Sequence, residues 1–263
     1  MLFSIITVCY NSANTIKKTF DSVLEQSCKD YEFLIIDGGS SDGTLQIIKE
    51  YEPIFEGRMY WISERDNGIY DAMNKGIKLS KGDYLNFLNS DDYLENEALE
   101  KIKEVIKENS FLRGVFYGIT RVTNAQHEEM RIFRNNHQFL HDGTINHQAC
   151  YFHRTLFEEY GYFDDSYKLC ADYKFLLTLK KFNVPFVTVD FIVVNYFSDG
   201  LSRKQSSLLH EENERLNVEL GYLTKESLRK QKIQRKVLNC VDNSIICIFK
   251  CINKIYKLIF RKN

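Results

Sequence analysis

The first ninety residues carry four short apolar runs, at 3–9, 31–36, 59–63 and 84–88, and each stops at a polar or acidic cluster. Helical patterns over 11–24, 45–51 and 70–79 separate them, and another over 95–107 follows. Strands alternating with helices in this way specify an α/β fold with a parallel sheet and right-handed crossovers. Such sheets bind ligands beyond the carboxyl ends of their strands. Asn11, Asp37, Asp66 and the cluster Asn89-Ser90-Asp91-Asp92 each follow directly after a strand, so all of them are expected at one edge.

Each of these residues also has a local reading. Asn11 or Ser12 is a natural N-cap for the first helix, and Asp42 for the second. Asp91 or Asp92 has the same option before the helix over 95–107, and Asp172 before a helical run over 172–181. Against simple capping, two adjacent carboxylates at a strand end repel one another unless a cation lies between them. The loop Asp37-Gly38-Gly39-Ser40-Ser41-Asp42-Gly43 matches neither dinucleotide fingerprint nor P-loop. Its acidic flanks would repel a diphosphate without a metal. Asp37 therefore reads as an acceptor for base or ribose donors, and the glycines as room for a ligand to approach.

At 263 residues and 44% hydrophobic content, the chain suits one large domain or one domain with a tail. No run is long enough to span a bilayer, and residues 1–8 lack the basic region and cleavage site of a signal peptide. This points to a cytoplasmic protein. The seven cysteines (9, 28, 150, 170, 240, 247 and 251) are scattered and odd in number, which fits reduced, packed thiols. His137, His141 and His147 match no zinc spacing.

The net charge of −1 conceals an asymmetry, because residues 229–263 hold ten Lys or Arg against one Asp. In the last helical run Lys250, Lys254, Lys257 and Arg261 share one face, while Ile245, Ile248, Phe249, Ile252, Ile255, Ile259 and Phe260 fill much of the rest. A basic amphipathic helix of this kind lies on an anionic membrane surface. The alternative is packing on the enzyme body or on a second subunit, as in a homo-oligomer.

The motifs Ser4-Ile5-Ile6-Thr7-Val8-Cys9-Tyr10-Asn11, Asp37 to Thr44, Asp66-Asn67-Gly68-Ile69-Tyr70-Asp71-Ala72-Met73-Asn74-Lys75-Gly76, Gly82-Asp83-Tyr84 and Leu88-Asn89-Ser90-Asp91-Asp92 stand in one order and spacing. Together they resemble glycosyltransferase family 2, the inverting GT-A nucleotide-sugar transferases. Asn146-His147-Gln148-Ala149, Gly161-Tyr162-Phe163-Asp164 and Ala171-Asp172-Tyr173 look like the acceptor half of bacterial surface-polysaccharide members. The resemblance spans residues 3–202.

It implies a GT-A, Rossmann-like, mostly parallel sheet with flanking helices, followed by a C-terminal helical tail. Residues 1–205 would form the transferase domain, with a nucleotide-sugar half over 1–100 and an acceptor half over 101–205. Residues 206–263 would form the tail. Thr7, Tyr10, Asn11, Asp37, Asp66, Asn74, Asn89 and Ser90 take the donor-binding positions, with Asp37 on the nucleobase. Asn89-Ser90-Asp91 falls on the family's D-x-D motif, with Asn in place of the first Asp. Asp91, with Asp92 beside it, is then expected to hold Mn²⁺ or Mg²⁺ against the donor diphosphate. Asp172 matches the general base. His147 and Gln148 are assigned to the sugar or acceptor pocket, and Arg203 or Lys204 to the diphosphate. The implied activity is transfer from a nucleotide donor, expected to be a UDP-sugar, to a glycan or lipid-linked acceptor at the inner face of the cell membrane. No nucleic-acid partner is expected.

Two other classes compete with this reading. A sugar nucleotidyltransferase would carry a Gly-rich, basic first loop, where this chain has Tyr10-Asn11-Ser12-Ala13-Asn14. A catalytically inactive membrane- or glycan-binding adaptor would lack metal-dependent turnover.

Overall fold

The computed structural model describes residues 1–124, 126–134, 136–140, 144–198, 205–222, 224 and 226. Its first half is a block of four parallel strands in the order β3-β2-β1-β4: β1 (Phe3–Cys9), β2 (Tyr31–Asp37), β3 (Met59–Ser63) and β4 (Tyr84–Phe87). Every position of β1 and β2 is buried. Covered on both faces, these strands read as continuous apolar runs and do not alternate. Helices α1 (Ile16–Leu24), α2 (Thr44–Tyr51) and α3 (Ile69–Leu79) supply the crossovers. The register sets Cys9 opposite Asp37 and Asp37 opposite Ser63, so the strand ends lie level.

The second half adds β5 (Tyr93–Leu94), α4 (Ala98–Glu108), β6 (Val115–Thr123), β7 (Glu129–Phe133), β8 (Cys150–His153), α5 (Thr155–Tyr160), α6 (Ala171–Lys181), β9 (Phe186–Phe197) and α7 (Ser206–Glu219). The nine strands form one sheet in the order β3-β2-β1-β4-β8-β6-β9-β5, with β7 paired to β6. Strand direction reverses at β8, which runs antiparallel to both β4 and β6, while β6 and β9 are parallel. The result is the GT-A-like α/β sheet with flanking helices, mixed in its second half.

Several capping expectations give way. The first helix starts at Ile16, with Thr15 in the cap position. Asn11 is left-handed at φ 51° and belongs to the loop. The dipeptide strand β5 separates Asp91 and Asp92 from α4, so neither caps that helix. Cys170 occupies the cap position of α6, and Asp172 lies inside its first turn.

Two contacts fix the second half against the first. Asn86 in β4 donates through Nδ2 to the carbonyls of Gln148 (2.8 Å) and Cys150 (2.9 Å), which holds the 147–150 segment beside the donor strands. Asn74 in α3 pairs with the Phe163 backbone, donating to its carbonyl at 2.8 Å and accepting its N–H at 3.0 Å. Gly82 permits the entry to β4, since a Cβ there would meet the Phe3 and Ser4 backbone at 2.5 and 2.6 Å.

Compact packing divides the chain into units 1–212 and 213–263. The run 227–263, where the basic helix is expected, lies outside the described residues. Among the described residues no helix is long and apolar enough to cross a membrane. Cys9, Cys28, Cys150 and Cys170 are buried.

Candidate active site

The ends of β1 and β2 are tied together by side chains that the sequence offers as ligand contacts. Asp37 is fully buried and spends its carboxylate on its own loop. Oδ2 accepts from the Gly39 N–H (3.1 Å), the Ser40 N–H (3.0 Å) and the Ser63 hydroxyl (2.7 Å). Oδ1 accepts from the Ser40 hydroxyl (2.5 Å) and the Cys9 thiol (3.6 Å). Burial, and then the Asp37 charge, push the Cys9 thiol up. With five donors already on it, Asp37 braces the loop. Asn11 continues the bracing, donating its N–H to Ser40 Oγ and accepting from the Ser41 N–H. Asp42 accepts from the N–H and hydroxyl of Thr44 and from the Ala13 N–H.

A different carboxylate comes forward at the next residue. A Cβ on Gly38 would stand 2.4 Å from Asp66 Oδ2 and 3.5 Å from the Tyr10 ring. Glycine at 38 is what allows the Asp66 carboxylate to sit against the β2 end. Asp66 is held from behind by the Gly68 N–H on Oδ1 at 2.9 Å. Tyr10 is 64% exposed, so its ring offers an open flat face beside that carboxylate. Below them Thr7 is buried, with no hydrogen-bond partner for its hydroxyl.

The end of β4 meets this corner through Ser90, whose hydroxyl lies 2.9 Å from that of Ser12. Asp92 is 1% exposed and joins three segments. Oδ1 accepts the Phe197 N–H at the end of β9 (2.8 Å), Oδ2 accepts from the Gln148 side chain (2.9 Å), and its carbonyl accepts from the Thr19 hydroxyl (2.7 Å). Burial, and then the neighbouring Asp91 charge, push the Asp92 carboxyl well above its ordinary range. The Asp92 N–H also bonds the Asn89 carbonyl at 3.1 Å, and Asn89 Oδ1 is left buried without a partner.

Among the described residues no three His, Cys, Asp or Glu side chains gather as a metal cage. The orphaned Asn89 oxygen next to Asp91 is nonetheless a hard oxygen donor of the kind Mg²⁺ and Mn²⁺ take. A cation whose shell is completed by phosphate oxygens needs no larger protein cluster, so these residues fit one.

Beyond Gln148 lies a second constellation. Asp172 accepts from the Tyr70 hydroxyl at 2.6 Å on Oδ1, and Oδ2 is 2.8 Å from His147 Nδ1. Burial would raise Asp172. His147 beside it and the bonds from His147 and Tyr70 outweigh that effect and hold the carboxyl below its ordinary value. Burial, and then the Asp172 charge, keep the Tyr70 phenol far above its usual range, so it stays a donor. His147 is 9% exposed, and its Nε2 has no partner.

These contacts form one path along the strand ends: Asp66, Gly38, Tyr10, Ser12, Ser90, the 89–92 cluster, Gln148, His147, Asp172 and Tyr70. The model of the glycosyl transferase family 2 domain matches residues 4–161 of this chain. The chain belongs to glycosyl transferase family 2. A PGL/p-HBAD biosynthesis glycosyltransferase of Mycobacterium bovis is 35% identical over 182 residues, which are 66% of this chain and 68% of that protein. The S. aureus TarS crystal structure superposes with a TM-score of 0.65 at 20% identity, covering 91% of this chain and 43% of that one. A shorter TarS structure, residues 1–349, was solved with UDP-GlcNAc. The mannosyltransferase PcManGT from Pyrobaculum calidifontis, solved with GDP-Man and Mn²⁺, matches at a TM-score of 0.59 and 15% identity, covering 73% of this chain and 56% of that one. At these identities the structural likeness concerns the fold.

The strand ends bring Tyr10, Asp66, Asn89, Ser90, Asp92, His147 and Gln148 into that path, and the first turn of α6 adds Asp172. Asn74 stands apart from it as the clamp on Phe163. Arg203 and Lys204 lie outside the described residues. Sequence reasoning read Gly38 only as room for a ligand, and gave Tyr70 no role of its own. Gly38 carries no functional group to notice. Tyr70, at the start of α3, reads as an ordinary apolar helix position.

Proposed function

We propose that this glycosyltransferase moves a sugar from a UDP-sugar, with inversion, to a glycan or lipid-linked acceptor of a bacterial surface polysaccharide. The observation that carries the reading is the continuous path from a nucleobase seat at Tyr10, Gly38 and Asp66, past Asn89 and Asp91, to the carboxylate of Asp172. Asp66 takes the role first given to Asp37: its carboxylate accepts an N–H donor of the base while Tyr10 stacks on the ring. The Thr7 hydroxyl, buried and unpartnered, floors that seat. The UDP-GlcNAc bound by TarS supports a uridine donor.

Asp91 and Asn89 Oδ1 would hold a divalent cation, with Asp92 acting as the buried brace beneath them. When bound, that cation supplies positive charge against the negative charge developing on the diphosphate. Tyr70, His147 and Asp172 form the base assembly that removes the acceptor's proton on the face opposite the leaving group. The basic residues of 229–263 would keep the enzyme at an anionic membrane surface from the cytoplasmic side.

A screen of UDP-hexoses and UDP-N-acetylhexosamines with Mn²⁺, reading release of UDP, tests the reading. Asp91→Ala is expected to abolish metal-dependent nucleotide binding, and Asp172→Asn to spare binding and stop transfer. No binding or turnover of any nucleotide sugar would overturn it.

A further inference from the structure

The end of β9 is fixed against the donor cluster. The Phe197 N–H bonds Asp92 Oδ1 at 2.8 Å, and the Tyr196 carbonyl accepts the Thr123 hydroxyl at 3.3 Å. Successive side chains of a strand point to opposite faces. Asn195 turns to Arg121 and Glu95, which sends the Tyr196 ring to the other face. There the phenol lies among carboxylates. Burial, and then the charges of Asp92, Asp91 and Asp172 in that order, push it up to about 12. A phenol that senses both Asp91 and Asp172 stands between the donor cluster and the base assembly, and the order sets it nearer the first. Tyr196 is only part-buried, and among the described residues its hydroxyl meets no hydrogen-bond partner. A phenol in acidic surroundings keeps its proton, so it presents a donor to whatever occupies the space before it. The donor cluster offers little else of that kind: Asn89 presents an oxygen, Asp91 and Asp92 are carboxylates, and the Ser90 hydroxyl is engaged with Ser12.

Resting on the transferase reading above, we infer that Tyr196 is a catalytic residue whose hydroxyl donates a hydrogen bond to the departing diphosphate. In that reading the space between the cluster and the base holds the transferred sugar and the diphosphate oxygen attached to its anomeric carbon. The acceptor oxygen's electron pair forms the new bond to that carbon, and the acceptor's proton goes to the base assembly. The bond from the carbon to the diphosphate oxygen breaks, and its electron pair leaves with the nucleoside diphosphate. Tyr196 keeps its own proton throughout. Its contribution is a fixed donor aimed where negative charge grows, which is worth more in the transition state than before it. Asp92 and Thr123 act through the backbone of residues 196 and 197 and are positioning residues for this phenol.

The test compares the full wild-type chain with Tyr196→Phe, which keeps the ring and removes only the hydroxyl. Its melting temperature should not move, since no protein group loses a bond. Both proteins are titrated with UDP and with uridine in the presence of Mn²⁺, and then assayed with the UDP-sugar that the screen selects. Tyr196→Phe is expected to bind UDP about tenfold to a hundredfold more weakly, the scale of one hydrogen bond to a charged group. Its affinity for uridine, which has no diphosphate, should stay at the wild-type value. Turnover should fall by about a hundredfold in kcat, the usual effect of removing one donor from developing negative charge. The inference requires both losses. Wild-type UDP affinity, wild-type kcat, or a loss of uridine affinity equal to that of UDP would each overturn it, the last by moving Tyr196 to the nucleoside seat. Failure of the wild-type chain to bind or use any UDP-sugar would instead sink the wider reading.

Discussion

Asp37 and Asp66 are carboxylates at neighbouring strand ends, and their surroundings give them opposite work. Asp37 is fully buried under five donors, so removing it leaves N–H and hydroxyl groups without their acceptor. Asp37→Ala is expected to cost about 3 kcal/mol or more of unfolding free energy, since hydrogen bonds to charged groups are worth about 1.5–3 kcal/mol each. Asp66→Ala should leave the melting temperature nearly unchanged and weaken UDP binding by about tenfold to a hundredfold, the equivalent of one charged hydrogen bond. Calorimetric titration and thermal unfolding of both variants check the pair; a binding loss confined to Asp37→Ala would reverse the assignment. Spacing alone could not separate the two, because both follow apolar strands and both precede a glycine-containing turn. What distinguishes them is where Gly38 allows a neighbouring carboxylate to approach.

Elements followed the hydrophobic pattern wherever the pattern was strong. Strands β1 and β3 occupy the expected residues, and β2 and β4 fall within one residue of theirs, because buried strands announce themselves as apolar runs. Helix α1 begins five residues late because Asn11 and Ser12 are drawn into bonds with the β2 loop and the β4 end. The two-residue β5 left no periodic signal, and it is this strand that moves Asp91 and Asp92 away from the cap of α4. The segment between α5 and α6 was legible as a motif but not as a structure. There Asp164 binds the Lys174 ammonium at 2.7 Å and the Ser166 N–H at 3.0 Å. Burial opposes its ionisation, yet the Lys174 and Ser166 bonds prevail and lower its pKa from 3.8 to about 2. A depressed folded-state pKa means this support is present above the unfolded value and fades as pH falls through the folded one. Asp164→Asn should therefore melt below the wild type at pH 5, and the two curves should converge as pH drops from about 4 to about 2. A gap that persists at pH 2 would remove the ion pair as its cause.

For the molecule as a whole, the proposed division of labour is between a sheet that carries the chemistry and a terminal run that would carry the address. Deleting residues 243–263 is expected to release the protein from vesicles containing anionic lipid, as read by co-sedimentation, and to leave UDP release in solution unchanged. Vesicle binding that survives the deletion would remove this run from the anchoring role. The sequence showed its charge and apolar faces plainly. It could not show the path through the site, because that path is built from contacts between residues far apart in the chain, such as Tyr70 with Asp172 and Gln148 with Asp92. The close approach of Gly38 and Asp66 reaches further, into the history of related chains. A side chain at 38 and a carboxylate at 66 compete for one volume, so the two positions are not free to drift separately. Relatives that carry an acidic residue at the first should lack one at the second. The group that reads the base would then have migrated from one loop to the other while the seat itself stayed in place.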